Sequence, residues 1–103
     1  MKSFVIIKTT YPDESSAKKA QQLLLDSKLC ACASISNVQS TYIWQGELKH
    51  CIEYELSIKT LKSHKKLAIK NIKISHPYEL PEIICLKAKA QDNYYKWLKI
   101  SLK

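Results

Sequence analysis

From Leu48 to Lys59 apolar and polar residues alternate. Leu48, His50, Ile52, Tyr54, Leu56 and Ile58 fall on one side, and Lys49, Cys51, Glu53, Glu55, Ser57 and Lys59 on the other. A period of two marks a strand with one apolar and one polar face. Upstream, Ala33 to Gln45 has no helix start signal and is rich in Ser, Thr, Ile, Tyr and Trp. The two stretches predict one long antiparallel hairpin turning at Gln45-Gly46-Glu47. Gly46 is the only glycine in the chain, and it falls where the backbone needs a tight reversal or a positive φ. Each arm of about 12 residues reaches roughly 40 Å at 3.3 Å per residue, whereas no helix predicted here exceeds about 25 Å. The tip, with Tyr42, Ile43, Trp44 and Leu48, must therefore overhang the rest of the fold. A bare two-stranded ribbon is marginal in water, so the arm calls for a partner, most simply another copy of the chain.

The remaining pattern is shorter-ranged. Phe4 to Thr9 predicts a first strand buried on both faces. Pro12 sits as a first-turn proline, followed by Asp13 and Glu14 at the positive end of a helix dipole. Ala17, Ala20, Leu23, Leu24 and Ser27 then recur at helical spacing up to an end near Lys28-Leu29. Thr60 to Ser63 offer N-caps to a second helix with Leu61, Ala68, Ile69 and Ile72 as its buried stripe, stopped by Pro77. Pro81 opens a strand over Glu82–Leu86. Asp92 caps a last helix whose Tyr94, Trp97, Leu98 and Ser101 line one face. The order β-α-β-β-α-β plus a C-terminal helix is the split βαβ, ferredoxin-like plan. It predicts an α+β fold with a four-stranded antiparallel sheet, helices on one face and the other face bare. No linker or repeat divides residues 1–103, so one domain is expected.

Composition narrows the function. The net charge is +8 with every basic residue a lysine. Nucleic-acid sites lean on the planar fork of arginine, so the excess lysine reads as compositional drift and no nucleic-acid partner is expected. The apolar run Phe4-Val5-Ile6-Ile7 is too short for a leader or a membrane span. A cytoplasmic protein with no membrane partner is expected, and its four cysteines, Cys30, Cys32, Cys51 and Cys85, should be thiols.

Each chemistry hosted by this plan requires particular residues. An acylphosphatase needs an arginine phosphate cradle after the first strand, and Thr9-Thr10-Tyr11-Pro12 supplies none. An RNA-binding sheet needs stacking aromatics on its central strands, where this chain has Glu53 and Glu55. A copper chaperone needs Cys-x-x-Cys after the first strand. Cys30-Ala31-Cys32 instead starts the second strand, where the two thiols would share a face; small buried thiols explain it better. Cys51 and Cys85 read as fillers of a core or an interface, and His50 and His64 as isolated histidines. No nucleophile and base can be paired from the sequence, and no enzymatic activity is expected.

Several motifs together resemble the CutA divalent-cation tolerance proteins. They are Tyr42-Ile43-Trp44-Gln45-Gly46, Ile58-Lys59-Thr60 with Glu53 before it, and His76-Pro77-Tyr78-Glu79-Leu80-Pro81-Glu82. Pro12-Asp13, Lys28-Leu29 with Cys32, and Tyr94-x-x-Trp97 agree. The resemblance implies a cytosolic homotrimer of ferredoxin-like subunits whose hairpins wrap their neighbours, with Trp44 in the oligomer interface. It implies a response to metal ions, copper binding in some members, and no required cofactor.

Of the copper-associated positions, only His76 keeps a metal ligand. Thr9 stands where such members have cysteine, and Ser75 where they have a second histidine. One imidazole makes a weak copper or divalent-cation site. Its position just after a helix end predicts a raised proton affinity. The stretch from Cys32 to Trp44 is one residue shorter than in the family and lacks its Pro-Gly, so the family's bulge is expected to be altered or absent. The alternative is a signalling or scaffold trimer that binds a small anion or protein partner in inter-subunit clefts through Tyr42, Glu53 and Lys59.

Overall fold

The computed structural model describes residues 1–103. The elements follow the order β1 (Lys2–Tyr11), α1 (Glu14–Asp26), β2 (Cys32–Trp44), β3 (Glu47–Thr60), α2 (Lys65–Ser75), β4 (Ile83–Ala90) and α3 (Asp92–Ser101), with a 3₁₀ turn at Lys62–His64 before α2. The four strands form one antiparallel sheet in the order β2-β3-β1-β4, the ferredoxin-like arrangement. β1 and β4 outrun the predicted spans because their pairing runs from Lys2↔Ala90 to Thr9↔Ile83.

The hairpin turns through Gln45 (φ 50°) and Gly46 (φ 79°). Two consecutive positive φ values identify the two-residue type I′ loop that suits the twist of paired strands. Its ladder is unbroken from Cys32↔Lys59 to Trp44↔Glu47, so no bulge interrupts it. β1 pairs with β3 only as far as Tyr11↔Tyr54. The seven hairpin pairs beyond that point stand as a two-stranded ribbon, about 23 Å long at 3.3 Å per residue.

Alternation sorts the sheet into two faces. Ile7 and Tyr11 of β1 and Leu56 and Ile58 of β3 meet Ala17, Ala20 and Leu24 of α1 and Ala68 and Ile72 of α2 in the main core. The apolar side of β3 is buried only where helices cover it: Leu56 and Ile58 are fully buried, while Ile52 and Leu48 on the ribbon are exposed. The opposite face is not wholly bare. Phe4 points there, and α3 crosses to it, burying Leu98 and Leu102 against Phe4 beside Ala88 and Ala90. Ile84 and Leu86 remain exposed on this face.

Several ends differ from expectation. Asp13 is itself the N-cap of α1, accepting from the Ser16 N–H at 2.7 Å, so Pro12 precedes the cap. That bond holds the Asp13 carboxyl below its ordinary range. α1 stops at Asp26 because Lys28 adopts φ 55°. No side chain caps α2: Thr60 is committed to β3, and the 3₁₀ turn closes through His64 N–H to the Leu61 carbonyl at 2.9 Å. Gln91, not Asp92, is the cap position of α3, and Asp92 lies in its first turn, 3.7 Å from the N-terminal ammonium.

Candidate functional site

β1 ends beside the segment that leaves α2, and this brings two of the three copper-associated positions together. The Thr9 hydroxyl lies 3.0 Å from His76 Nε2. The Tyr78 N–H donates to His76 Nδ1 at 3.1 Å. An imidazole nitrogen that accepts a bond carries no proton, so the proton sits on Nε2 and is donated to Thr9. The ring also stacks on Tyr11, with centroids 4.4 Å apart and planes 14° from parallel. Burial pushes the His76 pKa down, partly opposed by the Thr10 backbone. The direction is opposite to the rise expected from the helix end, because burial desolvates the imidazolium. The third position faces away: the Ser75 hydroxyl donates back to the Asn71 carbonyl at 2.9 Å.

This donor set does not fit a resident copper ion. Both nitrogens of the one imidazole are engaged, the adjacent side chain is a hydroxyl, and nowhere do three His, Cys, Asp or Glu side chains converge on a metal-sized point. Tyr11 is the unforeseen neighbour. Burial pushes its phenol up to about 12, and its hydroxyl has no partner.

Beyond Pro77 the chain crosses the end of β1, and Tyr78 reaches Glu53 of β3. Its hydroxyl donates to Glu53 Oε2 at 2.7 Å. Glu53 was expected on the solvent side of its strand, yet it is only 7% exposed. Burial first, and then the Glu53 carboxylate, hold the Tyr78 phenol above its ordinary pKa. Here the ribbon and the segment Tyr78–Glu82 enclose a groove of about 870 Å³. Tyr42, Trp44 and Tyr78 supply its aromatic surface, and Glu53, Glu79 and Glu82 its charge. Tyr42 is further tied to the site by the Cys51 thiol, which donates to its hydroxyl at 3.7 Å.

Lys59 does not join Tyr42 and Glu53. It lies six residues along β3 from Glu53, about 20 Å away at 3.3 Å per residue, with its ammonium 3.9 Å from Cys32 Sγ. Cys30 and Cys32 do not share a face. Cys30 is buried in the main core and its thiol is pushed up to about 12 by desolvation, whereas Cys32 begins β2 on the opposite face. All four cysteines are free thiols. His50 and His64 are spent locally, on Thr41 and Ser63. Glu79 and Glu82 were legible only as parts of a motif, because the groove they flank forms when the ribbon and the loop meet.

Residues 5–101 match the family described as CutA1 divalent ion tolerance protein. A divalent-cation tolerance protein CutA of Escherichia coli is 36% identical over 101 residues, covering 96% of this chain and 90% of that protein. The crystal structure of divalent ion tolerance protein CutA1 from Ehrlichia chaffeensis superposes with a TM-score of 0.92 at 32% identity, over 100% of this chain and 98% of that one. The structure of CutA from Synechococcus elongatus PCC7942 gives 0.94 at 32% identity, over 100% of this chain and 93% of that one.

Proposed function

The chain belongs to the CutA1 divalent ion tolerance family, and from that premise we propose that it works in the response to metal ions as a cytoplasmic homotrimer, a binding or signalling module and not an enzyme. The observation that carries the assembly is the ribbon. Ile43, Leu48 and Ile52 are exposed on one of its faces, and Tyr42 and Trp44 are partly exposed on the other. A ribbon apolar on both faces is satisfied by two neighbours, and three subunits make a small ring in which each has two. The compartment rests on the free thiols, which suit a reducing environment. No helix is long and apolar enough to cross a membrane.

Metal enters this function weakly at His76. A cation there must displace the Nε2 proton and the Thr9 hydroxyl, and gains one nitrogen in return. The functional asset is then the assembled trimer and its clefts. Calorimetric titration of Cu(II) into the wild type and His76→Ala at neutral pH tests this. Weak binding that disappears in the variant supports it. A tight site that survives the mutation overturns it.

The groove favours a second reading, a signalling or scaffold trimer acting through inter-subunit clefts. It does not favour a small anion as the occupant, since Lys59 stands apart and the lining charge is negative.

A further inference from the structure

We propose that the outward face of α2, with the edge of α1 beside it, docks the protein peripherally on an anionic lipid bilayer. Its lysines meet the lipid headgroups, and exposed aliphatic side chains of the α1–α2 seam enter the interface. This goes beyond the metal response and uses neither His76 nor the ribbon.

α2 breaks the rules that α1 follows. α1 has Asp13 as its N-cap, Glu14 in its first turn and a Glu14–Lys18 ion pair. α2 has no side-chain cap and no acid, and Lys65 and Lys66 stand at its positive dipole end, just after Lys62. No acid occurs between Glu55 and Glu79, a span that holds six of the chain's lysines. Lys62, Lys66, Lys70 and Lys73 recur along one exposed stripe, and none forms an ion pair. Like charges four residues apart disfavour a helix, so this arrangement does not serve the fold. Compositional drift accounts for the number of lysines but not for a helix without acids.

Beside the stripe lie aliphatic side chains that the core does not use. Leu67 and Ile74 flank Asn71 at helical spacing, and Asn71 and Ser75 face Leu23 of α1 across the seam. Leu23 is 44% exposed, Leu67 54% and Ile74 75%. A basic stripe edged with aliphatics is the pattern of a helix lying in a membrane interface. Two features choose the bilayer over other anions. The seam is closed, with no space for a partner's side chain, whereas protein hot spots fill pockets. The cations are all lysine; nucleic-acid sites lean on arginine, and a hydrated ammonium on a flexible stem suits diffuse headgroup charge. The ribbon, not the helix layer, carries the proposed assembly, so docking and assembly do not compete.

Co-sedimentation of the assembled protein with vesicles tests this, using phosphatidylcholine alone and phosphatidylcholine mixed with phosphatidylserine. Binding to the mixed vesicles only is expected, fading as salt rises. Combining Lys66→Gln, Lys70→Gln and Lys73→Gln should weaken it at least about tenfold. Glutamine keeps helix propensity, so circular dichroism should be unchanged. Combining Lys96→Gln, Lys99→Gln and Lys103→Gln removes the same charge from α3 and should change affinity less than about twofold. Leu67→Gln with Ile74→Gln should weaken binding several-fold while the charge stays intact. Failure to bind the mixed vesicles overturns the proposal, as does equal binding to neutral ones or no loss in the aliphatic variant. So does an equal loss in the two lysine triples, which would mean net charge alone. Full competition by polyglutamate also overturns it, in favour of an acidic protein partner.

Discussion

Two tyrosine hydroxyls near the candidate site bracket what a buried polar group does to stability. The Tyr78 hydroxyl supplies the 2.7 Å bond to buried Glu53, and the Tyr11 hydroxyl is buried with no partner. Hydrogen bonds to charged groups contribute about 1.5–3 kcal/mol, whereas an unsatisfied buried group costs energy that its removal restores. Chemical denaturation should therefore find Tyr78→Phe destabilised by about 2 kcal/mol and Tyr11→Phe neutral or slightly more stable. Equal losses in both would contradict the assignment. His76 adds a pH dependence. Its pKa is depressed in the folded state, so folding favours the neutral imidazole. The unfolded chain then binds more protons below about pH 6.5, and stability falls as pH drops from there through the lower folded value. Protonation also turns Nδ1 into a second donor facing the Tyr78 N–H. Thermal melts between about pH 7.5 and 5.5 should show this slope, and His76→Gln should flatten it.

Among the elements, the hairpin depends on one turn. Gly46 has φ 79°, and a Cβ added there would meet nothing within 4 Å. The cost of Gly46→Ala is thus conformational alone, about 1–2 kcal/mol for a left-handed residue with a side chain. Denaturation of the assembled protein should read that loss without a change of fold. A loss well above it would mean that another subunit packs on the turn. α3 shows the complementary case, an amphipathic helix whose destination is set by its surroundings. Leu98 and Leu102 are buried against Phe4, with Ala88 and Ala90 beside it, on the face opposite the main core.

For the whole molecule, the dimensions of 45 × 25 × 21 Å and a radius of gyration of 14.4 Å exceed the roughly 13 Å of a compact chain of this size. The excess is the ribbon. A free ribbon exposing Ile43, Leu48 and Ile52 is unfavourable alone, so light scattering at micromolar protein should return the mass of a trimer. Trp44 is 38% exposed in the single chain and should be covered on assembly. Truncating a fully packed tryptophan costs about 3–5 kcal/mol, so Trp44→Ala should shift the mass toward monomer on dilution. A trimer that persists in that variant with Trp44 solvent-exposed would remove Trp44 from the interface.

What the amino-acid order determines here is local. Period two from Leu48 to Lys59 and the single glycine specify the strands and their turn. The stretch from Cys32 to Trp44, short by one residue against the family it resembles, agrees with the uninterrupted ladder. Tertiary structure decided the rest. Glu53 has a solvent-side pattern, yet it is buried because a loop 25 residues later brings Tyr78 onto it. Lys59 shares the parity of Glu53 but stands too far along the strand to share its groove. The His76 proton is placed by Thr9, which is 67 residues distant, and by the neighbouring Tyr78 backbone. Side-chain alternation reports which face a residue takes within its own strand. It carries no information on what a distant segment lays over that face, and burial, hydrogen bonding and pKa follow from that second fact.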